Sequence, residues 1–259
     1  MKPKIQKPNR RHERKKEEKL CGVSACLKAF EKRASDIKML YVTKAASVLV
    51  SPILQFCKDQ KKPYEVLSKE KITSFSKMEH HEGVCLLLNK KKILPFIKDP
   101  SLKEKKALVL ALERIENPHN LGAILRSAAH FGASALLVLT DTRSTLPASS
   151  LRTAEGGAES VPVYFVKSWE EELRFLKKEG YSFFATSSHG GADLYQTDFS
   201  KKTVLFLGSE KEGLSEGLLK KIENRIQISG TGEVESLNVS VASALLLSEW
   251  WRQDKKNSL

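Results

Sequence analysis

Residue types that could do chemistry are concentrated in three short motifs, and the first reads ENPHNLGAILR at residues 116–126. Asn117 suits a helix N-cap and Pro118 suits the first turn, so a helix is predicted to begin here. Gly122 and Arg126 share a helix face, where the missing side chain leaves room beside the guanidinium. A mid-helix glycine costs roughly 1 kcal/mol relative to alanine, so a close approach by substrate or another helix is expected. The alternative is an exposed arginine beside a tolerated glycine.

The second motif, GSEKEGLS at residues 208–215, follows the apolar stretch 203–207. A glycine-rich turn after a strand can cradle phosphate, but this motif lacks the GK[ST] ending of a P-loop. The carboxylates of Glu210 and Glu212 would also repel phosphate. The motif therefore disfavours a nucleoside triphosphatase and favours a ligand that is cationic or bears hydroxyl groups.

The third motif, ISGTGEVESLNVSVA at residues 228–242, opens the apolar segment that runs to residue 253. Gly232 is expected to adopt a positive φ, and Ser236 is predicted to cap the helix that follows. A strand, a glycine loop and a capped helix are typical of a ligand site, although such helices also occur without any ligand. The loop lacks the third glycine of GxGxxG, which disfavours a dinucleotide site. The segment is too short and too rich in serine to span a bilayer.

The elements that must position these motifs alternate between strand and helix from Ala107 onward. This alternation predicts a parallel sheet with helices on both faces, and ligands of such sheets collect at the C-terminal ends of the strands. The predicted strands are residues 107–113, 135–140, 162–166, 181–186, 203–207 and 225–228, and the predicted helices are residues 119–131, 148–155 and 169–179.

The region before this sheet divides into three parts. Residues 1–19 are rich in lysine and arginine with little apolar content, so a flexible tail that grips phosphate non-specifically is predicted. Residues 20–89 have the apolar pattern of a small α/β domain. Its predicted helices lie near 23–30 and 51–60, and its strands near 39–42, 64–67 and 83–88. Residues 90–106 are predicted to be a linker, because prolines and lysines dominate them, and residues 107–259 form the second domain.

The charge of the chain points to a polyanionic partner. It has 44 Lys and Arg against 31 Asp and Glu, a net charge of +13, so RNA or DNA is the first candidate. No long apolar run and no signal-peptide pattern occur, so a cytoplasmic protein without membrane association is expected. No CxxC pair or histidine cluster completes a zinc site, so no metal is expected and reduced packing thiols are predicted at Cys21, Cys26, Cys57 and Cys85.

Taken together, the three motifs resemble those of the SpoU/TrmH family, RNA 2′-O-ribose methyltransferases of the SPOUT superfamily. The resemblance runs over residues 107–252 in the family's order and spacing. It rests on the patterns NxGxxxR, GxExxGL and GxxxSLNVSVA, which are carried here by Asn120, Gly122, Arg126, Gly208, Glu210, Gly213, Leu214, Gly232, Ser236, Leu237, Asn238 and residues 239–242. Residues 20–88 more loosely resemble the L30e-like substrate-binding domain that many members carry. One departure is Ser229, where the family usually has proline.

The resemblance implies an α/β fold in which the C-terminal segment of the parallel sheet threads a deep trefoil knot, an exception among folds. The knot would bind S-adenosylmethionine largely through backbone groups at Gly208, Ile228 and Leu237, with Gly232 in the same cofactor loop. The resemblance also implies a homodimer whose interface includes the C-terminal helix.

The resemblance assigns Arg126 to activation of a ribose 2′-hydroxyl, with the site organised by Asn120, Glu210, Ser236 and Asn238. A guanidinium is a poor proton acceptor because its pKa is so high. Stabilising an emerging alkoxide, or binding the adjacent phosphate, is therefore an alternative to the role of base. The predicted function is methylation of ribosomal or transfer RNA that uses S-adenosylmethionine.

Two other functions remain at this point. An RNA-binding or ribosome-assembly factor could keep the fold without catalysis, but the intact polar residues of all three motifs disfavour it. A DNA-binding protein would suit the net charge, although no DNA-reading motif occurs in the chain.

Overall fold

The computed structural model describes residues 17–91, 95–96, 99–140 and 145–256, and most of the predicted basic tail lies outside them. The chain divides into two units, residues 1–92 and 93–259. In unit 1 the elements are, in chain order, β1 (Glu17–Cys21), α1 (Val23–Arg33), β2 (Ile37–Val42), α2 (Ser51–Asp59), β3 (Tyr64–Val66), α3 (Lys69–Ser76) and β4 (Val84–Asn89). Its sheet has the strand order β1-β4-β2-β3.

Strand β1 corrects the predicted end of the basic tail, because residues 17–19 belong to this strand and pair with β4. The two glutamates of this stretch are paired with basic side chains of the unit. Arg33 lies 2.6 Å from Glu18, and Lys38 lies 2.9 Å from Glu17. Paired charges at the start of a strand look, in the sequence, like the solvated charges of a tail, which is why the prediction placed the boundary too late.

The predicted linker is also partly wrong, because several of its residues fold into unit 2. Pro100–Lys103 forms a short 3-10 helix, and the Asp99 side chain accepts a backbone N–H at its start. Phe96 and Leu102 are buried in the hydrophobic core of unit 2. The surrounding lysines conceal these two apolar positions in the sequence.

Unit 2 alternates strand and helix as predicted, and each predicted element is present with its ends shifted by no more than two residues. Its elements are β5 (Ala107–Glu113), α4 (Pro118–His130), β6 (Ala135–Leu139), α5 (Ala148–Thr153), α6 (Gly157–Ser160), β7 (Val163–Val166), α7 (Glu170–Lys178), β8 (Ser182–Thr186), β9 (Ala192–Asp193), β10 (Lys202–Leu207), α8 (Glu216–Leu219), β11 (Asn224–Gln227) and α9 (Val239–Lys256).

The sheet of unit 2 has the strand order β7-β6-β5-β10-β8-β11-β9, and its strand pairs are parallel. The predicted parallel α/β architecture is therefore confirmed. Helices α4 and α9 pack on one face, and α7 and α8 pack on the other. The chain moves outward from β5 to β6 and β7, and its later strands lie on the other side of β5, with β10 next to it. Ligands of such sheets bind at the C-terminal ends of the strands.

Strand β5 is buried along its whole length because both faces of the sheet are covered. Leu108, Leu110 and Leu112 face one hydrophobic core, whereas Ala107, Val109 and Ala111 face the other. A strand buried on both faces reads as a continuous apolar run, which is the pattern that located it in the sequence.

Four further expectations concern membrane helices, metal ligands, the cysteines and the knot. Within the described ranges, no helix is long and apolar enough to cross a membrane, and no group of three or more potential metal ligands lies together. The four cysteines are free and buried in unit 1. The trefoil knot stays a prediction.

Candidate functional site

Three polar side chains, one from each motif, meet at the C-terminal edge of the unit 2 sheet. Asn238 Nδ2 donates to Glu210 Oε1 at 2.6 Å, and Asn120 Nδ2 donates to the same oxygen at 3.1 Å. Asn238 Nδ2 also lies 3.1 Å from Asn120 Oδ1. Asn238 follows β11, Glu210 follows β10 and Asn120 follows β5, so the parallel sheet brings the three residues to one edge. We call Asn120, Glu210 and Asn238 the polar triad.

Asn238 also caps the long C-terminal helix α9. Its Oδ1 accepts the backbone N–H of Ser240 at 2.9 Å, so both ends of the amide are engaged. The predicted cap, Ser236, is therefore wrong by two residues. The N–H of Val239 lies 3.3 Å from Glu210 Oε1, which places that carboxylate at the positive N-terminal end of α9.

A cavity of about 410 Å³ opens beside the polar triad. Small-molecule sites in proteins are typically about 300–1,000 Å³, so the cavity is large enough for one ligand of moderate size. It lies between the loops that follow β8, β10 and β11 and the first turns of α9. Five of the predicted site residues line it, namely Gly208, Glu210, Ile228, Ser236 and Leu237.

Two glycines shape these loops for different reasons. A Cβ atom at Gly208 would lie 2.1 Å from the backbone carbon of Gly213, so the second motif closes tightly on itself. Gly232 has a φ of +87°, which confirms the expected conformation. In the part of the chain that the structure describes, however, Gly232 is not among the residues that line the cavity. It shapes the loop instead of facing the ligand.

Gly122 is explained by a neighbouring helix. A Cβ atom there would lie 2.6 Å from the carbonyl oxygen of Ser150 and 2.6 Å from Thr153 Cβ, both on α5. The Ser150 hydroxyl donates to the carbonyl of Pro118 at 2.8 Å and ties the two helices together. The structure thus identifies another helix as the close partner, and the expected free space beside Arg126 is filled.

Arg126 lies apart from the polar triad, on the outer surface of α4. Its side chain is 59% exposed, and its Nη1 donates to Glu155 Oε1 at 2.7 Å. Among the described residues it does not line the cavity, and no hydrogen bond joins it to the triad. The structure therefore separates the guanidinium from the residues with which the sequence grouped it.

Comparison with known proteins places this arrangement in a family. The model of the SpoU rRNA Methylase family matches residues 107–248, which include all three motifs and more than half of the chain. The chain belongs to the SpoU rRNA methylase family. A second model, described as RNA 2′-O ribose methyltransferase substrate binding, matches residues 19–94 of this SpoU-family chain.

Two relatives match this SpoU-family chain over different lengths. The uncharacterized tRNA/rRNA methyltransferase YfiF of Escherichia coli O157:H7 is 36% identical over 245 residues, or 95% of this chain and 71% of that protein. The 23S rRNA (guanosine-2′-O-)-methyltransferase RlmB of Xanthomonas axonopodis pv. citri is 38% identical over 148 residues, or 57% of this chain and 59% of that protein.

Solved structures show the same fold. The SpoU methyltransferase AviRb from Streptomyces viridochromogenes, crystallised in complex with AdoMet, has a TM-score of 0.80 to this chain at 22% identity. The match covers 97% of this chain and 96% of AviRb. The SpoU methyltransferase architecture therefore extends across nearly the whole length of the chain.

Ser229, the departure from the SpoU pattern, makes a hydrogen bond that a proline could not make. Its hydroxyl donates to Asp193 Oδ2, and this bond lowers the pKa of the Asp193 carboxyl below its ordinary value. Asp193 Oδ1 accepts the backbone N–H of Tyr195 at 2.8 Å. The loop of the third motif in this SpoU-family chain is thus tethered at its start by a polar contact.

Sequence reasoning missed a buried carboxylate that holds the second motif. Glu113 ends β5 and is 3% exposed, and it accepts both the N–H of Ser215 at 2.7 Å and the Ser215 hydroxyl at 3.0 Å. Ser215 in turn caps α8, where the motif ends. A lone acidic residue at the end of an apolar strand was the available signal, because a buried carboxylate needs a partner.

Proposed function

We propose that this chain transfers a methyl group from S-adenosylmethionine to a ribose 2′-hydroxyl of structured RNA, either ribosomal or transfer RNA. The observation that carries the proposal is the cavity lined by the second and third SpoU motifs, beside the polar triad to which Asn120 of the first motif belongs. Two relatives support it. AviRb binds AdoMet, and RlmB is a 23S rRNA (guanosine-2′-O-)-methyltransferase.

The residues that line the cavity fit S-adenosylmethionine. Apolar side chains such as Leu207 and Ile226 suit the flat face of an adenine, and the carboxylates of Glu210 and Glu235 suit a ligand with cationic groups. Gly208, Ile228 and Leu237 would hold the cofactor, while Gly232 keeps the loop in shape. When bound, the cofactor supplies a methyl group on a positively charged sulfur.

The polar triad is suited to orienting groups in the site. Glu210 Oε1 is contacted by three donors, from Asn120, Asn238 and the N–H of Val239, so the carboxylate cannot turn freely. Ser236 lines the cavity nearby and supplies a hydroxyl that can donate to or accept from a ribose. Fixing the reacting groups in one geometry can by itself account for much of a rate enhancement.

Arg126 is suited to the acceptor side of the reaction. A guanidinium is a poor proton acceptor, so the proposed role of Arg126 is to stabilise the developing alkoxide or to bind the neighbouring phosphate. Its exposure allows a large substrate to reach it, because RNA approaches from solvent.

Unit 1 is proposed to bind the RNA substrate as an L30e-like domain. The substrate-binding family model matches it, and exposed lysines surround its helices and turns, including Lys44, Lys58, Lys61, Lys69 and Lys71. The basic tail is proposed to add non-specific phosphate contacts. Because residues 17–19 are part of β1, a truncation that tests the tail should stop at residue 16.

A homodimer that forms through α9 is part of the proposal, as is a cytoplasmic location. Val241 and Trp251 are 48% and 42% exposed on α9, and large exposed apolar side chains of this kind mark contact surfaces. The unpaired cysteines suit a reducing compartment. Light scattering should show a dimer that Val241→Glu converts to monomer, whereas Val48→Glu, at an exposed valine of unit 1, should leave the dimer intact. Dimeric Val241→Glu protein would contradict this interface.

The function is tested by incubating the protein with isotopically labelled S-adenosylmethionine and either ribosomal or transfer RNA. Labelled RNA that resists alkaline cleavage at one position is the expected product, because a methylated 2′-oxygen cannot attack its phosphate. Calorimetric titration with S-adenosylmethionine separates the enzyme from an RNA-binding or assembly factor. No heat of binding and no labelled RNA would show that catalysis has been lost.

A further inference from the structure

The guanidinium of Arg126 is held by a carboxylate that none of the three motifs contains. Arg126 Nη1 donates to Glu155 Oε1 at 2.7 Å, with the two side chains 59% and 50% exposed. Ion pairs as exposed as this one contribute little to folding stability. Stability therefore gives no strong reason for a glutamate at this position.

The backbone of Glu155 also disfavours a residue with a side chain. Its φ is +44°, in the left-handed region that glycine adopts most easily, and the next residue is Gly156 with a φ of +88°. Glycine would suit position 155 better on conformational grounds. Strained residues of this kind concentrate at functional sites, where a particular side chain is needed in a particular place.

The segment that carries Glu155 is fixed against α4 at Arg126 itself. A Cβ atom on Gly157 would lie 2.7 Å from the carbonyl oxygen of Leu125 and 3.2 Å from Arg126 Cα. The turn is closed by the Gly157 N–H, which donates to the carbonyl of Ala154 at 2.7 Å. The backbone around Glu155 is therefore placed directly beside the arginine, and the ion pair follows from that placement.

We propose that Glu155 is a positioning residue for Arg126 and holds the guanidinium in one orientation for the RNA. This inference rests on the proposed 2′-O-methyl transfer. An arginine carries several N–H donors in a rigid plane, so a pair made through Nη1 leaves others to reach an alkoxide or a phosphate. An unrestrained arginine on a helix surface samples many rotamers. Fixing the guanidinium before the RNA arrives removes that ordering from the chemical step.

Kinetics of Glu155→Gly and Glu155→Gln test the inference. Glycine removes the strain of the positive φ at position 155, and glutamine keeps the shape of the glutamate side chain without its charge. We expect kcat to fall about tenfold in both because the guanidinium is less well placed, with the KM for RNA and the affinity for S-adenosylmethionine unchanged within about twofold. Glu171→Gln, at an exposed glutamate of α7 on the opposite face of the sheet from α4, should leave kcat unchanged.

A double variant shows whether Glu155 acts through the arginine. Combined with Arg126→Ala, the Glu155→Gly change should cause no additional loss of kcat, because two residues that act as one unit are not additive. A full additional loss would overturn the inference. So would wild-type kcat in Glu155→Gly, or tighter RNA binding with kcat retained, which would make Glu155 a competitor for Arg126.

A spectroscopic readout is independent of activity. In the protein without RNA, the Nε–H resonance of Arg126 should move toward that of an unrestrained arginine in Glu155→Gly, and an unmoved resonance would overturn the inference. Absence of methyl transfer by the wild-type protein would instead defeat the proposed function. The two failures are therefore distinguishable.

Discussion

The cavity with its polar triad and the arginine on α4 differ in how firmly the chain holds them. Glu210 Oε1 is contacted by three donors. The backbone of Gly208 packs so closely on that of Gly213 that no side chain fits between them. Arg126 is held by a single exposed ion pair. A small cofactor can be bound by a site formed in advance, whereas a large RNA requires a group that is reachable from solvent. Substitutions in the two parts should therefore have different effects on cofactor affinity and on methyl transfer.

The largest effect is expected from Gly208→Ala, which changes the firmly held loop at the cavity. The new methyl group would lie 2.1 Å from the Gly213 backbone, so the loop must move. Overpacking against backbone costs about 3 kcal/mol or more at its upper end, and we expect the affinity for S-adenosylmethionine to fall at least about a hundredfold in calorimetry. Gly230→Ala is the matched control, since a Cβ atom there meets nothing within 4 Å. Equal affinities of the two variants would show that the loop adapts freely.

Arg126→Ala removes the exposed arginine and should reduce methyl transfer without weakening cofactor binding. Affinity for S-adenosylmethionine and thermal stability should be retained, because the side chain lies outside the cavity and is 59% exposed. Methyl transfer should fall about a hundredfold, the scale of losing one charge-stabilising donor. Arg126→Lys keeps the charge without the planar fork, so partial recovery would favour phosphate attraction and none would favour a role at the hydroxyl. Full activity in Arg126→Ala would remove the residue from the mechanism.

Glu113→Gln should have an intermediate effect, because it weakens the hydrogen bonds that hold Ser215 and the second motif. A glutamine amide can place a donor against the N–H of Ser215, and leaving a buried group unsatisfied costs about 1–3 kcal/mol. A lower melting temperature and an affinity for S-adenosylmethionine about tenfold weaker are expected. Ser215→Ala removes only the hydroxyl and should cost less. If Glu113→Gln binds the cofactor as the wild type does, Glu113 supports the fold alone.

Ser229→Ala should have the smallest effect. The Ser229 hydroxyl lowers the pKa of Asp193 in the folded protein below its ordinary value of 3.8. A carboxylate of lowered pKa contributes stability above its unfolded pKa and loses it as the pH falls through the folded value. The variant should therefore melt slightly lower than the wild type at pH 7, and the difference should shrink below about pH 4. A melting difference that grows in acid would exclude this tether.

Much of unit 2 follows from local sequence patterns. β5 is an uninterrupted apolar run because both of its faces are buried, and such a run marks its own ends. The family resemblance grouped Asn120, Glu210 and Asn238, and they lie together in the structure because each follows a strand of one parallel sheet whose C-terminal ends share an edge. Patterns within a few residues therefore predicted the strands at whose C-terminal ends the three motifs meet.

The errors share a physical cause, which is dependence on distant residues. Residues 17–19 form a strand only because partners such as Arg33 and the strand β4 are present. Asn238 caps α9 in place of the predicted Ser236, and its side chain also bonds to Glu210, 28 positions away. The proposed role of Glu155 could not be predicted from its neighbours in the sequence, because it depends on a contact with Arg126 of α4.

The polar triad has a consequence for the timing of synthesis. Its hydrogen bonds join residues 90 and 118 positions apart, from Asn120 to Glu210 and to Asn238. Chains fold as they leave the ribosome, and contacts across such separations form only after the later partner has emerged. The sheet around β5 can begin to assemble early, but the site stays open until α9 is outside the exit tunnel. A nascent chain therefore lacks the complete polar triad until Asn238 has emerged and can reach Asn120.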